Sequence, residues 1–269
     1  MTKESSTPPP NSNARQSFCS DIPKGLSNHI VIINVNEKLP EIITEIQRGR
    51  AFEKQVDIVV FVQDQKLWEQ NPDWHPPLRE PHRIFIIEGC PGNAEELRCT
   101  GIDTCQTAVI LADPTQGKFS DAKGTLIALA IEKSNPNVHT LIEVITSGNR
   151  THLVGTEVNE VVCMGELTEA LLAQNVITPG VLKTINTMLT VSPTPGFTAE
   201  EVPARMLGMT YKAAVVLSID EGYPEVICGF LKHYGTAGER ILIREPVMNP
   251  NEEQKQTRLE KGDAFIVAR

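Results

Sequence analysis

From His29 to Val162 the chain alternates short apolar runs with polar segments of helical period. The runs are His29–Asn34, Asp57–Val62, Arg83–Ile87, Ala108–Ala112 and His139–Val144, all rich in Val and Ile. Between the first two, Leu39, Ile42, Ile43 and Ile46 recur at three- and four-residue spacing and predict a helix over Glu37–Arg48. Helices are predicted over Gly92–Thr100, Ser120–Ser134 and Asn149–Val154, and a sixth strand over Glu160–Cys163. Short apolar strands separated by helices predict a parallel sheet covered on both faces, a Rossmann-like doubly wound α/β fold. Leu67–Pro81, with its prolines and both tryptophans, is predicted to be an irregular surface excursion.

Two helices follow, Glu166–Asn175 and Pro179–Leu189, with Thr178 as N-cap and Pro179 at the first helical position. A proline-rich linker, residues 192–197, separates them from a small α+β domain over 198–269. Its β-prone runs are Ala213–Ile219, Val226–Leu231, Arg240–Ile243 and Ala264–Ala268. Residues 1–27, rich in Ser, Pro and Asn, predict a disordered tail. The expected organisation is therefore a tail (1–27), a Rossmann-like domain (28–164), a helical hairpin (165–191), a linker (192–197) and the α+β domain (198–269).

Composition narrows the function classes. A chain of 269 residues has room for about two domains, and 40% hydrophobic residues supply a core. The net charge of −9 argues against nucleic acid and against an anionic membrane surface as main partners. No apolar run approaches the roughly 20 residues of a membrane helix, so direct membrane insertion is not expected. The N-terminus is too polar for a secretory leader. Six cysteines occur with no C-x-x-C pair, and the expectation is reduced thiols in a cytoplasmic protein.

In a doubly wound fold, ligands gather beyond the carboxyl ends of the strands. The first strand-to-helix turn carries Asn34, Asn36 and Leu39 where a dinucleotide fingerprint has glycines. Asparagine tolerates the left-handed backbone of such a turn, but Leu39 cannot imitate the third glycine, so tight NAD binding is not expected. Asp64 ends the second strand, where an acidic residue holds a ribose hydroxyl in dinucleotide sites. Asn34, Asn36, Asp64 and Gly89 are the candidate cofactor-binding residues, for an adenine nucleotide. Glu88, Asp113 and Glu143 sit at strand ends on one sheet edge and are candidate ligands for a divalent cation, calcium or magnesium. Helix capping by Asp113 is the competing structural role. The histidines are scattered singly, and neither a G-x-S-x-G elbow nor a G-x-x-x-x-G-K-[ST] loop occurs, so no catalytic residue is assigned and an enzyme is not expected. Leu171, Leu172, Val181, Leu182, Ile185 and Leu189 place apolar side chains on adjoining faces of the hairpin helices and form the candidate self-association surface.

The order of these parts resembles the RCK domain, the regulator of conductance of potassium found on potassium channels and Trk-type uptake systems. The resemblance rests on the strand pattern, the Glu88-Gly89 turn, Ala108–Asp113, and Glu157–Val162 leading into Glu166–Gln174. It continues through Leu207–Tyr211, Pro224–Phe230, Arg240–Ile243 and Leu259–Asp263. The C-terminal lobe is also similar to the first gating-ring domain of large-conductance calcium-activated potassium channels. The resemblance implies a cytoplasmic, ligand-sensing gating-ring module that dimerises through the helical hairpin and assembles into a ring, octameric in the family. Its partner would be the pore of a potassium channel or transporter, which would also hold it at the membrane. Neither pore helices nor a selectivity filter is present, so the expectation is a separate ring subunit or a piece of a longer channel. Glu143 falls where calcium-gated members place a glutamate, but Ile145 stands where they carry a second acid, which counts against a calcium site of the family type. Two other functions fit the same fold: a nucleotide-dependent oxidoreductase, against which the missing glycines speak, and a ligand-free assembly scaffold.

Overall fold

Ile30, Val31, Ile32 and Ile33 are buried along their whole length, and that burial sets the layout of the first half of the chain. In this computed structural model, which describes residues 22–23, 25–50, 56–76, 83–189, 197–233 and 244–268, they form the central strand β1 (Ile30–Ile33). Parallel strands β2 (Asp57–Val62) and β4 (Thr107–Ile110) flank β1, with β3 (Arg83–Glu88) beyond β2 and β5 (His139–Val144) beyond β4. With β6 (Glu160–Cys163) the sheet has the order β3-β2-β1-β4-β5-β6. The order reverses between β1 and β4, which makes the ground beyond their carboxyl ends the switch point where such folds take ligands. Helices α1 (Leu39–Arg50), α2 (Gln65–Gln70), α3 (Ala94–Arg98) and α4 (Ser120–Ser134) occupy the connections. The chain divides into two compact units, split after Pro40, after Lys54 and after Val162.

The second unit contains α5 (Met164–Ile177), α6 (Val181–Leu189) and an antiparallel sheet of order β7-β10-β8-β9. Its strands are β7 (Phe197–Glu201), β8 (Val226–His233), β9 (Arg244–Met248) and β10 (Ala264–Ala268), with α7 (Tyr211–Asp220) between β7 and β8. Met206, Tyr211, Ala214, Phe230, Leu259 and Phe265 make its core, with Tyr211 tilted against Phe230 at 5.0 Å between ring centroids. Gly229 is fixed by backbone approach, because a Cβ there would lie 2.3 Å from the Val247 carbonyl oxygen on β9.

Several expectations need correction. Ala213–Ile219 is helical, inside α7: Thr210 Oγ1 caps it by accepting from the Ala213 N–H, and Tyr211, Ala214 and Ser218 are buried at helical spacing. Packing of that face overrides the β preference of Val215 and Val216. Within Leu67–Pro81, residues up to Gln70 belong to α2, capped by Asp64, and Pro72–Trp74 form a 3-10 turn closed by His75 stacked on Trp68. Thr178 ends α5 rather than capping α6, and α6 starts after Gly180 at φ 96°. Cys90, Cys105 and Cys228 carry thiols, and burial pushes Cys105 up to about 12, but Cys99 is disulfide-bonded. The predicted tail up to residue 21, Cys19, residues 77–82 of the excursion, residues 192–196 of the linker, the run 240–243 and the Leu189 side chain lie outside the described residues.

His29, buried just before β1, carries a pH prediction. Its Nε2 is 2.8 Å from the Thr100 carbonyl oxygen, and Nδ1 has no partner among the described residues. Burial lowers its pKa, against smaller opposing effects of that carbonyl and of Asp57. The unfolded chain therefore takes up the proton first, from about pH 6.5 downward. Stability from this group is complete above that value and is lost as pH falls below it. Urea midpoints at pH 7.5 and 5.5 should show a smaller acid loss in His29→Gln than in the parent; equal losses would contradict the buried neutral imidazole.

Candidate functional site at the sheet edge

The first turn is held by its asparagines. Asn34 adopts φ 66°, as its left-handed tolerance predicts, and its Nδ2 donates to the Leu111 carbonyl at 2.9 Å. Asn36 Oδ1 accepts from the Lys38 N–H at 3.0 Å, which turns the chain into α1, and its Nδ2 donates to the Ala112 carbonyl at 3.0 Å. Leu39 is fully buried, so the position of the third glycine is filled by packing.

Glu143, at the end of β5, belongs to this turn. Its carboxylate accepts from Asn36 Nδ2 (3.3 Å), from the Ala112 N–H (3.0 Å) and from Lys38 Nζ. It joins the carboxyl ends of β1, β4 and β5, and its oxygens are committed to protein donors. The next turn is held by Asp121 of α4, which sequence reasoning missed. Asp121 accepts from the Ile145 N–H (2.8 Å), the Thr146 N–H (3.0 Å) and Asn149 Nδ2 (2.6 Å). A carboxylate already organises the loop where Ile145 stands, and it comes from a helix distant in sequence.

A cavity of about 260 Å³ opens beyond β1, β2, β3 and β4, lined by polar residues that include Asn34, Asp64, Glu88 and Asp113. Asp113 Oδ1 accepts from the Thr115 N–H (2.9 Å) and hydroxyl (2.6 Å), and its Oδ2 accepts from Lys123 Nζ (3.1 Å). Burial pushes the Asp113 carboxyl upward, but the Thr115 bonds and the Lys123 ammonium together outweigh it and hold the group below its ordinary value. Lys123 Nζ also donates to Gln63 Oε1, so this cation is spent within the wall. Asp64 Oδ1 accepts from the Lys66 (2.9 Å) and Leu67 (3.3 Å) N–H groups, capping α2, and Glu88 Oε1 accepts from the Gln65 N–H at 3.4 Å.

The structure thus brings together three of the candidate cofactor and cation residues with Asn34, and sets others apart. Asn36 and Glu143 brace the turn instead of lining the cavity. Gly89 is a packing position, since a Cβ there would lie 2.7 Å from the Phe61 ring and 2.8 Å from Glu96 Oε2. Glu88, Asp113 and Glu143 do not gather into a cation site: among the described residues, no three Asp, Glu, His or Cys side chains are placed to hold a metal ion. Ion pairing of Glu143 and Asp113 with lysines is the physical reason. Lys38, Lys123 and Asp121 left no signal in sequence because each acts through a partner from another element.

On the hairpin, α5 has no buried residue. Leu172 is 64% exposed, Val176 82% and Ile177 75%, while Leu171, Val181, Leu182 and Ile185 are half-buried. Val176 and Ile177 extend the apolar surface beyond the residues read from sequence. No helix among the described residues is long and apolar enough to cross a membrane.

Residues 25–142 match the family model described as the calcium-activated potassium channel slowpoke-like RCK domain. The calcium-gated potassium channel TvoK of Thermoplasma volcanium is 26% identical over 197 residues, covering 71% of this chain and 52% of that protein. The chain therefore spans about half the length of the curated relative it matches. The human SLO3 gating ring superposes with a TM-score of 0.61 at 14% identity, over 90% of this chain and 44% of that one, a likeness of fold. With the six-stranded Rossmann-like sheet and the strand-end turns in place, residues 25–142 match an RCK domain of the slowpoke-like kind.

Proposed function

We propose that the chain is a regulatory module of potassium transport, acting in the cytoplasm as part of a gating ring and controlling flux through a membrane pore. The RCK domain and the calcium-gated potassium channel relative support the class. They are regulatory and channel proteins, and this chain is read as non-enzymatic with them. In this reading 28–164 form the sensing lobe, 165–191 the dimerisation hairpin and 198–269 the C-terminal lobe. The sensing lobe binds its ligand at the strand-end cavity, and binding shifts the population of ring arrangements by the ligand's differential affinity for them.

The observation that carries the assembly is the exposed apolar surface of α5, with Leu182 and Ile185 of α6 half-buried. Contiguous apolar surface outside a core marks a partner, and two copies of one helical hairpin form a self-complementary two-fold interface. Light scattering of the purified chain at micromolar concentration should give a dimer or larger species. Leu182→Asp should raise the dissociation constant about 30-fold or more, as charging the centre of an apolar interface does. A strictly monomeric parent protein would sink this reading.

A further inference from the structure

We propose that the strand-end cavity binds a small organic cation with several N–H donors, an amine or guanidinium compound, in place of a phosphate-bearing ligand. The inference deepens the sensing role assigned above and rests on it. Three carboxylates, Asp64, Glu88 and Asp113, line the cavity, and among the described residues no lysine, arginine or histidine does. Lys123, which reaches Asp113 from behind the wall, is committed to that carboxylate and to Gln63.

Two donors of the lining are spent within it. The Thr115 hydroxyl donates to Asp113, and Gln116 Nε2 donates to Thr115 Oγ1 at 3.2 Å. Acceptors remain open as well. Among the described residues Asp64 uses only Oδ1, in capping α2, and Glu88 uses only Oε1. Asn34 is 4% exposed and lines the same cavity; with Nδ2 given to Leu111, its buried Oδ1 has no donor among the described residues. A buried acceptor without a donor is costly, and a ligand N–H relieves it.

This arrangement selects among ligand classes. A pyrophosphate meets the like charge of three carboxylates. A bare divalent ion needs several oxygens at one point, and no three acidic, histidine or cysteine side chains among the described residues provide that. A cation whose N–H groups are spread over several ångströms can reach Asp64, Glu88 and Asn34 Oδ1 together. The net charge of −9 raises its local concentration.

Calorimetry of the whole chain with agmatine, in parallel with ADP and with magnesium chloride, tests the proposal. Agmatine should bind saturably, and Asp64→Asn and Glu88→Gln, which keep side-chain shape, should each weaken it about 10-fold or more. Binding of ADP without agmatine would overturn the proposal in favour of a nucleotide cleft. Magnesium binding that depends on the same two residues would overturn it in favour of an inorganic cation. Absence of agmatine binding, or binding unchanged in both variants, would overturn it outright. Light scattering on the same samples reads assembly separately, so failure of the gating-ring reading is distinguishable from failure of this site.

Discussion

Lys232→Met will destabilise the C-terminal lobe by about 3–5 kcal/mol, the cost of leaving a buried charge without its partner. Lys232 Nζ donates to Asp263 Oδ2 (3.1 Å), Glu260 Oε2 (3.0 Å) and the Arg258 carbonyl (3.1 Å). The Asp263 side chain is 0% exposed, and its Oδ2 also accepts from the Glu260 N–H at 2.9 Å. Burial would lower the Lys232 pKa, but the bonds to Glu260 and Asp263 outweigh it and raise the group above its ordinary value. Removing the ammonium strips the Asp263 carboxylate of its countercharge while methionine keeps most of the volume. Urea unfolding followed by tyrosine fluorescence, with Tyr211 in the lobe core, measures the loss; a change under 1 kcal/mol would show that the pair is not holding the Lys261-Gly262-Asp263 turn.

The second large effect belongs to the sheet edge. Glu143→Leu should cost about 2–4 kcal/mol, because the Ala112 N–H, Asn36 Nδ2 and Lys38 Nζ lose their shared acceptor. Lys38 is 40% exposed, so its ion pair is screened and adds little; most of the loss comes from the two neutral donors. Glu143→Gln keeps one acceptor oxygen and should lose about half as much. Chemical unfolding in the presence of a chelator distinguishes this bracing role from cation binding. A variant as stable as the parent without divalent ions would mean that Glu143 is held in reserve for a cation.

How far the sequence could be read depends on where each signal lies. β1, β2 and β4 are buried on both faces, so they read as unbroken Val and Ile runs. The two strands that were missed, β7 and β9, are the edges of the second sheet. β7 carries Glu200 and Glu201, and β9 carries Pro246, which an edge tolerates and which sequence rules count against a strand. The left-handed turn at Asn34 was legible because asparagine's preference is local. The partner of Glu143 was not: Lys38 lies 105 residues away, and nothing in either local sequence records the meeting. Asp121 was hidden for the same reason, 24 residues before the Ile145 N–H that it holds. Carboxylates at strand ends are visible in a sequence; whether they face a ligand or a lysine is decided by the fold.

Potassium flux is the direct readout of the gating role. The chain, tagged at its natural locus, would be purified with whatever membrane protein accompanies it and reconstituted into liposomes loaded with potassium. A gating role predicts potassium efflux whose rate changes when the same preparation carries Leu182→Asp in the hairpin. Liposomes that show no potassium conductance, or a conductance indifferent to that substitution, would contradict it.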